Sequence, residues 1–86
     1  MQDLNRLWKA ILGELEVSLS QGNFSTWFKN SYLLEATSAG TVIGVPNVFI
    51  KNQIEKKYTP LLEELLEKNN ISTEQIVIKI YDPRSP

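Results

Sequence analysis

The sequence predicts a small α+β domain with element order α-α-β-β-α-β, its three-stranded sheet packed against helices. Three observations predict it. Two long stretches, 4–19 and 48–68, repeat apolar residues at helical spacing. Two β-rich runs, 32–37 and 41–45, are separated only by Ser38-Ala39-Gly40. Near the end, Ile76-Val77-Ile78-Lys79-Ile80-Tyr81 is rich in β-branched residues. The 86 residues are enough for one domain. A domain of this size buries only about 60–65% of its unfolded surface, so the core is limited.

The first helix opens behind Asp3, a plausible N-cap. Leu4, Leu7, Trp8, Ile11, Leu12, Leu15 and Leu19 then fall within an arc of roughly 140°. Gly22 is expected to end this helix, because glycine tolerates the left-handed position after a helix. Asn23 is expected to cap a second, short helix through Lys29, with Phe24, Trp27 and Phe28 on one face at i, i+3, i+4. These three aromatics read as a core plug. The hairpin follows. Gly44 weakens its second strand and hints at a bulge or a close backbone approach. Asn47 caps the long helix, whose stripe is Ile50, Ile54, Tyr58, Leu61 and Leu65, widened by Leu62. Pro60 lacks an N–H and clashes with the carbonyl of Lys56, so a kink or a break with restart is expected there. Asn69-Asn70 ends the helix. The last strand returns to an edge of the hairpin sheet, after a right-handed crossover if it runs parallel to the second strand. Residues 1–81 are read as the domain, and 82–86 as the start of a Pro-rich flexible linker.

Composition excludes several function classes. The 9 Lys+Arg and 10 Asp+Glu give a formal charge of −1 and a pI near 5.3, which argues against a strongly basic nucleic-acid footprint. Without Cys there is no disulfide framework and no thiolate zinc site. Without His the commonest general base and metal ligand is missing, and usual serine-triad chemistry with it. Neither phosphate-cradling motif, G-x-x-x-x-G-K-[ST] or G-x-G-x-x-G, occurs. Glu63, Glu64 and Glu67 read as a solvated helix face. No enzyme is expected, and neither is a metal or other cofactor. With no apolar run of membrane-spanning length, the expected location is the cytoplasm.

Two aromatics stand apart. Trp8 lies in a stripe wider than a small sheet needs, so it serves either the core or a partner helix at the margin. Phe49 falls roughly 140° from the centre of the long helix's stripe, beside Gln53, Lys56 and Pro60. It is either a staple over the helix start, a lone exposed residue, or an anchor for a partner. Lys51, Lys56 and Lys57 suit a solvated face, or weak salt-sensitive contact with a single strand.

The element order resembles that of KH domains, although the G-x-x-G loop with which KH domains clamp nucleic acid is missing. A closer resemblance rests on motifs in order. Leu7-Trp8 lies in the first helix, Asn23-Phe24-Ser25-Thr26-Trp27-Phe28-Lys29 makes the second, and Val45-Pro46-Asn47-Val48-Phe49 runs into Glu55-Lys56-Lys57-Tyr58. With these, residues 4–81 resemble the N-terminal domain (domain I) of the bacterial chromosomal replication initiators, the DnaA family.

The resemblance implies a KH-like fold without sequence-specific DNA binding, and a role as an assembly hub. It implies weak self-association through the first helix, at Leu7 and Trp8, with Trp8 substantially exposed in the monomer. It implies contact with the replicative helicase, DnaB in many bacteria, and with species-specific regulators of initiation, at Asn23, Phe49 and Gln53. The family often carries an acidic residue where Asn23 stands. Weak single-strand contact would fall at Asn47 and Lys51. ATP binding would lie in a central AAA+ domain and duplex origin recognition in a C-terminal helix-turn-helix domain, so the chain is expected to be a fragment. The competing reading is a free-standing KH-like domain that binds single-stranded nucleic acid weakly.

Overall fold

A computed structural model describes residues 3–84; Met1 and Gln2 of the expected domain, and Ser85 and Pro86 of the expected linker, lie outside it. Helix α1 (Leu4–Ser18) starts at Asp3, whose carboxylate accepts the Arg6 backbone N–H at 3.2 Å. The next boundary corrects the sequence reading. Gly22 does not end α1, and Asn23 does not cap α2. Leu19 is extended as the α1 C-cap, and Ser20 caps α2 (Gln21–Trp27) by accepting the Asn23 backbone N–H at 3.2 Å. Serine caps as well as asparagine does and comes first in the chain. An extended Leu19-Ser20 pair turns the backbone with no left-handed residue.

Strands β1 (Tyr32–Thr37) and β2 (Gly40–Val45) form the hairpin, and β3 (Ile76–Ile80) joins parallel to β2, giving the order β1-β2-β3. Gly40 therefore opens β2 instead of lying in the turn, and Tyr81 falls just past β3. The irregularity expected at Gly44 sits on the opposite strand, where the register shifts between Leu33 and Glu35. Close approach does explain Gly44. A Cβ there would stand 2.7 Å from the Tyr81 Cβ and 2.9 Å from the Leu34 Cδ1. Gly44→Ala should destabilise the domain by about 1–3 kcal/mol, the scale of overpacking. Urea midpoints check this, and an unchanged midpoint would show that Tyr81 simply moves aside.

The long helix is divided. Asn47 caps α3 (Val48–Gln53), its side-chain oxygen accepting the Ile50 N–H at 2.9 Å. A π turn spans Ile54–Tyr58, and α4 (Thr59–Lys68) follows with Pro60 in its first turn. The disturbance expected from Pro60 is thus present, but in the turn before it. Asn69 and Asn70 end α4, Asn70 at φ 61°.

Leu33, Ile43, Val45 and Ile78 line the sheet side that meets Trp8, Ile11 and Leu15 of α1, Phe28, and Ile54, Tyr58, Leu62, Leu65 and Leu66 of the crossover. Tyr58 meets Phe28 edge-on at 5.4 Å, and its hydroxyl is buried without a partner. Trp8 is the second correction. It is 4% exposed, and its indole N–H donates to the buried Ser31 Oγ at 3.1 Å. A sheet of three short strands does leave margin uncovered, but Leu7 and Leu12 occupy the two margins of the stripe, whereas Trp8 lies inside it with Ile11 and Leu15. Trp27 is the third. It is half-buried, not a core plug; of its trio only Phe28 is fully inside.

Glu14 ties α1 to the end of α4. It accepts from the Asn69 Nδ2 at 3.1 Å and pairs with the Lys68 ammonium at 3.0 Å. The Asn69 hydrogen bond first, then that from Lys68, hold its carboxyl below the usual carboxylate range. A lowered folded pKa stabilises above the unfolded value of about 4.3 and is lost as pH falls through the folded one. Glu14→Gln should therefore lower the urea midpoint at pH 7, with the gap to the parent closing on acidification below pH of about 4. A gap that persists in acid would show that Glu14 acts by packing alone.

Candidate functional site

α2 and α3 bring two aromatic rings together at the surface. Trp27, the last residue of α2, stacks on Phe49 of α3 with ring centroids 5.6 Å apart and a tilt of 38°. Phe49 is 67% exposed. The Asn47 cap fixes the start of α3, so Phe49 rides a defined first turn. Asn23 lies one helical turn before Trp27, and Gln53 one turn after Phe49, so each shares a helix face with one ring. Asn23 is exposed and Gln53 half-buried. The stack is thus an apolar platform flanked by two neutral amides. Val48, at 56% exposure, adds apolar surface beside it in sequence.

The structure brings Asn23, Phe49 and Gln53 into one neighbourhood through Trp27. Sequence reasoning missed Trp27 as a surface residue by assigning all three α2 aromatics to the core. The available signal was area. Each ring buries 150–250 Å², and a two-turn helix on a limited core cannot cover three of them.

The other candidates lie elsewhere. Leu7 and Trp8 belong to α1, Leu7 half-buried and Trp8 inside. The Asn47 side-chain oxygen is occupied as the α3 cap, and the Lys51 ammonium pairs with Glu55 at 2.9 Å. Both have a local structural role in α3.

The chemistry of the platform is that of contact. Two rings and two amides offer no group that titrates near neutrality and no nucleophile. Among the described residues, no three Asp or Glu side chains gather as a metal-ligand set. No described helix is long and apolar enough to cross a membrane. A half-exposed aromatic on a rigid turn suits a protein interface.

The family model described as the DnaA N-terminal domain matches residues 5–68. The chain belongs to that family. The DnaA-family relatives agree. The chromosomal replication initiator protein DnaA of Borrelia garinii subsp. bavariensis is 36% identical over 85 residues, covering 99% of this chain and 18% of that protein. DnaA of Borreliella burgdorferi gives the same identity and coverage. DnaA of Borrelia hermsii is 39% identical over 73 residues, covering 85% of this chain and 15% of its own. The chain thus spans less than a fifth of the length of these relatives. Among solved structures, a HobA–DnaA (domain I–II) complex from Helicobacter pylori matches with a TM-score of 0.74 at 20% identity, covering 90% of this chain and 99% of that one. This likeness establishes the KH-like α+β fold as that of DnaA domain I.

Proposed function

We propose that this DnaA N-terminal domain is a non-catalytic docking and self-association module in the initiation of replication, working in the cytoplasm. The observation that carries the docking reading is the Trp27–Phe49 stack, an apolar platform held open to solvent between two helices. We assign it to a protein partner, the replicative helicase of the DnaB type, with initiation regulators sharing the same face. The similar chain from Helicobacter pylori is a partner in a complex with HobA, which supports a protein-binding role for this fold. Self-association is assigned to α1. With Trp8 inside, Leu7 and the outer margin of the helix carry it, and Trp8 acts by holding α1 in place. ATP binding and duplex origin recognition belong to the parts of a full initiator outside this chain, and residues from Asp82 onward lead towards them as a linker.

The test is an NMR titration of the isotope-labelled chain with the helicase encoded in the same genome. Shift changes are expected at Asn23, Trp27, Phe49 and Gln53. Changes confined to α1, or none at all, would reject the docking face.

A further inference from the structure

We infer that Thr59 and Pro60 are positioning residues for the docking platform: they hold the π turn at Ile54–Tyr58, and that turn sets the rotation of α3 that lays Phe49 on Trp27. The functional half of this inference rests on the docking reading above; the geometric half does not.

The argument begins with a mismatch. Counted as one unbroken α-helix, residues 48–68 place Phe49 roughly 140° from the centre of the buried stripe, on the back of the helix. In the structure Phe49 instead sits against α2, its ring on Trp27. Between Phe49 and the buried Leu62, Leu65 and Leu66 of α4 lies the π turn. Its i→i+5 bonding takes in one residue more than an α turn. One extra residue turns everything on one side of it by about 100° relative to the other side. The π turn therefore separates the orientation of α3 from that of α4: Phe49 keeps its phase to Ile50 and Ile54 within α3, but is turned by about 100° relative to Leu62, Leu65 and Leu66 of α4.

Two residues hold the extra turn in place. Pro60 has no N–H to give an α-helical bond to the Lys56 carbonyl, and its ring would strike that carbonyl in a regular helix. Widening the turn before it removes the clash. In the π register the bond lost at Pro60 is the one to the Glu55 carbonyl. That carbonyl is served instead by the Thr59 hydroxyl, which donates to it at 2.9 Å and lies 3.5 Å from the Ile54 carbonyl. The backbone at Tyr58 leaves helical geometry at φ −110°, ψ 1°, whereas Thr59 returns to it at φ −57°, ψ −45°. So proline forbids the α register and threonine satisfies the alternative.

The two residues lie on the far side of the π turn from Phe49, and act on it through α3. Alanine at 60 restores a donor and removes the clash, so the helix is free to run on as regular α. The experiment compares the parent with Pro60→Ala, Thr59→Val and Thr59→Ser by NMR, reading ring-to-ring NOEs between Trp27 and Phe49 and the Trp27 indole shift. A helicase titration accompanies each, with Phe49→Ala as reference. Pro60→Ala should remain folded yet lose the Trp27–Phe49 NOEs. Thr59→Val should weaken them, and Thr59→Ser, which keeps the hydroxyl, should restore them. Helicase affinity should fall by about tenfold or more for Pro60→Ala, approaching the Phe49→Ala value. Ring NOEs unchanged in a folded Pro60→Ala domain would overturn the inference. Lost NOEs with unchanged helicase affinity would uphold the positioning of Phe49 and reject the docking reading instead.

Discussion

Trp8→Ala lowers the stability of the domain by about 3–5 kcal/mol, the cost of emptying a large aromatic site in a core. The indole is almost fully buried against α1's own Ile11 and Leu15 and the rest of the core cluster. Its N–H is also the tie between α1 and the segment entering β1. It donates to the Ser31 hydroxyl, which in turn donates to the Phe28 carbonyl. Alanine leaves both a cavity and a buried serine short of one partner. Small domains have a net stability of about 5–15 kcal/mol, so the loss is a large share of the whole. Trp8→Phe separates the two contributions. It keeps most of the apolar volume and removes the hydrogen bond, and should cost about 1–3 kcal/mol. Urea unfolding followed by circular dichroism measures all three proteins. An alanine variant within about 1 kcal/mol of the parent, the scale of a surface change, would show that Trp8 does not anchor α1. If stability falls as expected, any accompanying loss of self-association follows from displacement of α1 and not from a contact made by Trp8 itself.

Phe49→Ala has the opposite profile. It should leave stability within about 1 kcal/mol of the parent, since most of the ring is already in water. The same change should cost about 2 kcal/mol or more in helicase binding, the scale of an interface anchor. The ring is well placed for that role. It rides a capped first turn and is braced on one side by Trp27, so docking freezes little that is not already fixed. Trp27→Ala should affect both quantities, because that partly buried ring packs on the core as well as on Phe49. Calorimetric titration against the helicase, with thermal unfolding alongside, checks the pair. If Phe49→Ala binds as the parent does, the ring is a bystander; if it melts the domain, the ring is a staple.

The fold was legible wherever one period governs a stretch of chain. The α1 stripe, the hairpin around Ser38-Ala39-Gly40 and the β-branched β3 each follow from local pattern, and the return of β3 to an edge of the hairpin sheet follows from the element order, whereas its parallel direction comes from the structure. The α1–α2 boundary was not legible, because Ser20, Gly22 and Asn23 are all competent punctuation and only packing selects among them. Trp8 was misplaced because a stripe shows which residues face inward without showing which of them the other elements cover. The exposed Phe49 was legible from helical phase, but its partner was not. Phase counted through an unbroken helix misses the π turn, and with it the rotation that brings Phe49 to Trp27. Pro60 announced a disturbance; its position one turn earlier depends on the Thr59 hydroxyl, which propensity does not register.

The parallel pairing of β2 with β3 also orders events in time. Thr41 pairs with Ile76 and Val45 with Ile80, and α3 leans on both strands. A chain made from its N-terminus presents α1, α2 and the hairpin to the cell well before β3. Local contacts within the hairpin close early, whereas the β2–β3 ladder must wait for the whole crossover and bear its loop-closure entropy. Until the last strand leaves the ribosome, α3 has only part of its support. The full support of α3 by the sheet is therefore expected to be among the last features of the domain to form.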